Sequence, residues 1–96
     1  MKHEEAIAIL AADKGALQGF HVKSLAIFGS VARNEATETS DVDILVEFDT
    51  PVGLFTFLGL QQHLEELLGR RVDLATADAL RERMREQVLR EAVHAA

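Results

Sequence analysis

The sequence predicts an α/β sandwich, a small sheet covered by helices, within a single domain spanning residues 1–96. Two observations carry this. Short apolar or alternating runs at residues 24–28, 41–48 and 71–75 have the length and spacing of strands. Between and around them, apolar residues recur at helical spacing, so helices and strands alternate along the chain.

Taken in order, Ala6, Ile7, Ile9, Leu10 and Leu17 predict a first helix from Glu4 to Gln18, ended by Gly15 or Gly19. Residues 24–28 are apolar and stop at Gly29, which reads as a buried strand running into a turn, with a short helix over 31–35 after it. Residues 41–48 alternate acid and aliphatic residues. Val42, Ile44 and Val46 take one face and Asp41, Asp43 and Glu47 the other, as a strand half in the core requires. The run 49–53 is turn chemistry, after which Leu54, Phe57, Leu58, Leu64, Leu67 and Leu68 trace a helix closed by Gly69. A third strand covers 71–75, and Thr76 or Asp78 caps a charged helix through Leu80, Met84, Val88 and Leu89. Phe55 and Phe57 are expected to fill the core.

Composition narrows the chemistry. The 96 residues are 48% apolar and contain no cysteine, which removes disulfides, zinc-thiolate sites and thiol catalysis and suits a reducing cytoplasm. Acids near the start and the lack of a long apolar run predict a soluble, cytoplasmic protein with no membrane span. A net charge of -6 disfavours binding to duplex nucleic acid. The charge is uneven, with Asp41, Asp43, Glu47 and Asp49 gathered at the centre and Arg70, Arg71, Arg81, Arg83, Arg85 and Arg90 towards the end. Arg81, Arg83, Arg85 and Arg90 read as a solvated helix face. So small a core favours a partner or self-association, a homodimer included.

The pattern with chemical content lies between Phe28 and Phe48. Gly29 ends a buried strand and permits a tight turn, and the helix start after it offers unpaired NH groups to a polyphosphate, with the Ser30 hydroxyl as a further donor. Ten residues later, Asp41 and Asp43 stand one residue apart on a strand and so point to one side, where mutual repulsion favours a cation between them. Mg²⁺ fits, since it binds one or two carboxylates together with substrate phosphates. Asp73, on the polar face of the third strand, is the candidate third acid if the topology brings it beside Asp43. Arg33 could reach a nucleotide phosphate or a partner, or pair with Glu35 or Asp41. His3, His21, His63 and His94 lack metal-ligand spacing.

The Gly-Ser turn, the Asp-x-Asp pair and the later strand acid together resemble the DNA polymerase beta-type nucleotidyltransferase superfamily. Within it, residues 28–33, 40–48, 71–74 and 89–93 make the chain most similar to the minimal nucleotidyltransferase (MNT) proteins. That resemblance implies a small mixed sheet. It also implies metal binding and catalysis by Asp41, Asp43 and Asp73, nucleotide binding at Gly29, Ser30 and Arg33, and Mg²⁺ with ATP as donor substrate. MNT proteins commonly act as antitoxins of HEPN-type ribonuclease toxins, some by transferring AMP onto a toxin tyrosine, so a HEPN-type toxin in a hetero-oligomer is the implied partner. Two departures stand out, Asn34 where Gly is frequent and His94 where an aromatic residue is common. Two alternatives remain, a non-catalytic module that neutralises its partner by binding, and a nucleotidyltransferase acting on RNA or a small molecule.

Overall fold

The computed structural model describes residues 1–37, 39–80 and 82–96, apart from the side chains of 82–84. Helices α1 (His3–Ala12) and α2 (Lys14–Gly19) lead into strand β1 (Val22–Phe28), a one-turn helix α3 (Gly29–Ala32) and strand β2 (Val42–Phe48). Helix α4 (Leu54–Leu68), strand β3 (Val72–Thr76), a 3₁₀ turn at Ala77–Ala79, helix α5 (Glu82–Glu91) and a two-residue strand β4 (Val93–His94) complete the chain. The sheet order is β3-β2-β1-β4. β1 runs antiparallel to both β2 and β4, whereas β2 and β3 are parallel. The sheet is therefore mixed, as expected.

Its two faces differ because the strands alternate. Leu25, Ile27, Val42, Ile44, Val46, Val72 and Leu74 point to one side and are buried against Ala6 and Leu10 of α1, Leu17 of α2 and Leu60, Leu64 and Leu68 of α4. Each such aliphatic side chain contributes roughly 1.5–3 kcal/mol by leaving water. The opposite face carries Ser24, Ala26, Asp43, Leu45, Glu47 and Asp73, none of them fully buried. Helices α1, α2 and α4 thus cover one face of the sheet and leave Asp43, Glu47 and Asp73 on the other.

α4 is the crossover that makes β2 and β3 parallel, and its C-terminal half is tied to β3. At the C-terminus Gly69 adopts a left-handed conformation (φ 67°) and its NH reaches the Glu65 carbonyl, the glycine cap expected from the sequence. Along the helix, Gln61 Nε2 donates to the Val72 carbonyl (2.9 Å) and the Val72 NH donates to Glu65 Oε2 (3.0 Å). These bonds satisfy backbone groups at the exposed edge of β3.

Several expectations need correction. The first helix is two helices, broken at Asp13, and Gly15 lies inside the second rather than ending the first. Asp13 Oδ2 meets His63 Nε2 of α4 at 2.6 Å, a tertiary contact that periodicity could not reveal. The last helix starts at Glu82, not Thr76 or Asp78, because residues 77–79 form the 3₁₀ turn. Phe57 packs near Phe48 with ring centroids 6.4 Å apart, but Phe55 is 92% exposed and fills no core. β4 was not anticipated, since two residues give no periodicity. Among the described residues no helix is long and apolar enough to cross a membrane.

Candidate active site

The site is built by register. In the antiparallel pair, Phe28 lies opposite Asp43, so the last residue of β1 faces the middle of the acidic motif. In the parallel pair, Asp43 lies opposite Asp73. Paired residues on neighbouring strands project to the same face, and Asp41, two positions before Asp43, projects there too. All three predicted carboxylates therefore project from the open face, with Asp43 beside the turn at Gly29.

Gly29 is required twice over. Its φ of 70° lies in the left-handed region, which costs any residue with a Cβ. A Cβ built there would also collide with Asp43 Oδ2 and come within 3.0 Å of its Cγ. The Asp43 carboxylate is thus pressed against the backbone of the turn. Phe28 occupies the N-cap position of α3 and has no side chain able to cap. Ser30 is consequently inside the helix rather than its N-cap, and the first-turn NH groups remain available to an anion at the edge of the carboxylate cluster.

The electrostatics follow from this packing. Asp43 is partly buried while Asp41 and Asp73 are exposed. Its pKa is raised, first by desolvation and then by the negative charges of Asp73 and Asp41, with Arg33 opposing the shift. Like charges gathered on a half-buried acid are the condition in which a divalent cation binds. All the donors are hard oxygens, which suits Mg²⁺. Among the described residues no group of three or more acidic or imidazole side chains is drawn together closely enough to hold a metal ion by itself. The cluster fits an ion that takes its remaining ligands from water and from substrate phosphates.

Arg33 sits at the C-cap of α3, not one turn inside it. Its Nε donates to Glu35 Oε2 and its Nη1 to Glu91 Oε2, both at 3.1 Å. Of the pairings foreseen, that with Glu35 is present, and its hydrogen bond is the main reason the guanidinium pKa is raised. Glu91, on α5, is 58 positions away and left no signal in the sequence. Next to it, Asn34 has φ 58°. Asn is among the non-glycine residues that best tolerate this left-handed backbone, so it can stand where the resemblance implies Gly.

Elsewhere, Glu47 is held by Lys23 (3.4 Å) and Ser24 Oγ (3.3 Å), in keeping with a structural role. Arg85 belongs to no solvated face. Its Nε donates to the Ala77 carbonyl at 2.9 Å and so ties α5 to the 3₁₀ turn. Arg90 is exposed, whereas Arg81 and the Arg83 side chain lie outside the described residues.

Residues 11–94 match the nucleotidyltransferase domain family. The chain belongs to that family. Protein adenylyltransferase MntA of Thermococcus cleftensis is 46% identical to this nucleotidyltransferase over 92 residues, 95% of this chain and 93% of that protein. A solved minimal nucleotidyltransferase shares its fold with a TM-score of 0.82 and 42% identity, over 97% of this chain and 95% of the other. The Shewanella oneidensis complex of a tri-AMPylated HEPN toxin with an MNT antitoxin contains a chain of the same fold, at a TM-score of 0.60 and 17% identity over 91% of this chain and 71% of that one. The resemblance drawn from the Gly-Ser turn and Asp-x-Asp pair holds over nearly the full length. The carboxylates on the open face of the sheet are accordingly the candidate catalytic centre of a polymerase beta-type nucleotidyltransferase.

Proposed function

We propose that the chain is a cytoplasmic, Mg²⁺-dependent protein adenylyltransferase, a single-domain antitoxin that moves AMP from ATP onto a tyrosine hydroxyl of a HEPN-type toxin. The observation that carries the reading is the register Phe28–Asp43–Asp73, which puts the Gly29 turn beside Asp43 and Asp43 beside Asp73 on one open face. The adenylyltransferase name of the 46% identical relative supports AMP as the group transferred. The fold shared with a chain of the complex containing the AMPylated HEPN toxin supports the class of partner.

In this reading Gly29 and Ser30 hold the β- and γ-phosphates through backbone NH groups and the Ser30 hydroxyl. Arg33 lies close enough to influence Asp43 and could add a charge-assisted bond to phosphate. Asp41, Asp43 and Asp73 would hold Mg²⁺, which offsets phosphate charge and acidifies the acceptor hydroxyl. Attack forms a bond between the tyrosine oxygen and the α-phosphorus, the bond from the α-phosphorus to the bridging oxygen breaks, and pyrophosphate leaves. Asp73, outermost of the two in-register acids, is placed to take up the hydroxyl proton.

The test incubates the chain with α-labelled ATP, Mg²⁺ and the toxin encoded beside it. Label is expected on a toxin tyrosine and is expected to vanish with the Asp41→Ala, Asp43→Ala double variant. Toxin neutralised without label, by that variant as well as by the wild type, would instead select neutralisation by binding.

A further inference from the structure

On the open sheet face, a groove of about 990 Å³ begins where the carboxylate cluster stops. Ala26 and Leu45 form part of its floor, and Leu54, Phe57 and Leu89 contribute apolar walls. Leu45 follows Asp43 on the same face of β2, so the floor starts one side-chain step from the reacting centre. In-line displacement at phosphorus brings the attacking oxygen from the side opposite the leaving group. With pyrophosphate leaving over Gly29-Ser30, the acceptor must arrive from the groove side.

The lining has a definite chemistry. Among the described residues its charged lining is Glu47, Asp49 and Asp78, all acids. Glu47 is already paired to Lys23 at 3.4 Å and Asp49 faces His21 at 3.8 Å, so among the described residues Asp78 is the acid with no such pair beside it. At the mouth, Leu54 is 69% and Leu89 53% exposed, and Phe55 and Leu58 extend the apolar surface along the first turns of α4. An RNA acceptor would bring phosphates against these acids. A small polycation would satisfy the acids but leave Leu54 and Phe55 uncovered. A volume near the top of the usual range for ligand sites holds several residues of chain, not a lone phenol ring.

The geometry points to this groove as the docking surface for the acceptor, fitted to an extended polypeptide segment that carries Lys or Arg close to the modified hydroxyl and an apolar side chain against Leu54 and Phe55. This rests on the proposed protein adenylyltransferase activity and specifies the substrate class it accepts. Charge complementarity selects the segment, and the apolar rim anchors it.

Binding of two dye-labelled peptides, measured by fluorescence anisotropy on the full chain with Mg²⁺ and a non-hydrolysable ATP analogue, tests the assignment. One peptide carries a single tyrosine flanked by Arg and Leu, the other the same tyrosine flanked by Glu and Ser. The basic peptide is expected to bind about tenfold more tightly or better, and the Glu47→Lys, Asp78→Lys double variant to reverse the preference. Phe55→Ser is expected to weaken the basic peptide about fivefold or more without changing affinity for the analogue. All three positions are exposed. Because Glu47→Lys gives up the pair with Lys23, urea unfolding of the double variant and a single Asp78→Lys variant, expected to weaken the preference in the same direction, separate docking from folding. Equal binding of the two peptides, no binding of either, indifference to the variants, or tighter binding of spermine or an aminoglycoside would overturn the inference. Replacing the analogue with ATP separates the two claims. Tight, charge-selective binding without AMP transfer would count against the adenylyltransferase reading alone, and equal transfer to both peptides would count against the groove alone.

Discussion

At Gly29 two independent constraints meet, a left-handed backbone and the Asp43 carboxylate in the space a Cβ would fill. Gly29→Ala is therefore expected to cost about 1–3 kcal/mol in urea unfolding and to reduce nucleotidyl transfer well beyond what that loss explains, because the carboxylate must move. Asn34→Gly, by contrast, keeps the backbone at φ 58° available and gives up only the exposed bond that Asn34 Oδ1 accepts from the His3 NH (3.0 Å), so it is expected to cost no more than about 1 kcal/mol. Asp43 gives a prediction whose sign can be worked out. Its folded pKa lies above the ordinary 3.8, so its contribution to stability is fully present below that value and is lost as pH rises through the raised pKa. In EDTA, Asp43→Asn should then melt higher than wild type at neutral pH, with the difference shrinking as pH falls towards 4 and shrinking again when Mg²⁺ is added to the wild type. The same variant is expected to lose about a hundredfold or more in transfer rate.

Elements differ in how legible they were. β2 could be read completely, since Val42, Ile44 and Val46 against Asp43 and Glu47 give a clean period of two, and α4 ended at Gly69 as its cap chemistry requires. The break at Asp13 could not, because a contact with His63, 50 positions away, fixes where the N-terminal helix divides. Asp13→Ala is expected to cost about 1–2 kcal/mol in thermal unfolding, a Tm fall of about 4–16 °C, through loss of this part-buried hydrogen bond. β4 and the Arg33–Glu91 pair were hidden for the same reason. Each is made by segments distant in sequence, with no local pattern to announce it. For the site, Gly29, Asp41 and Asp43 were readable from spacing, whereas pairing Asp73 with Asp43 depended on a parallel register that alternation alone does not specify.

At the scale of the whole molecule, the fold packs α1, α2 and α4 on one face of a mixed sheet and gathers acids on the other. A layer of helices on that second face would stabilise a protein of this size, yet it would bury the carboxylates and close the groove. In the proposed function the open face receives substrates, so Mg²⁺ with an ATP analogue is expected to raise Tm in a concentration-dependent way that each ligand alone does not match. The most direct test of the carboxylate centre is stoichiometric. Toxin is mixed with ATP, Mg²⁺ and a small fraction of an equivalent of this chain, and its modification is followed by mass spectrometry. Complete conversion of the toxin to its AMP adduct by wild type, with none by Asp43→Asn, is the result the account predicts. Neutralisation that requires a full equivalent, leaves the toxin mass unchanged and is indifferent to Asp43→Asn would contradict it.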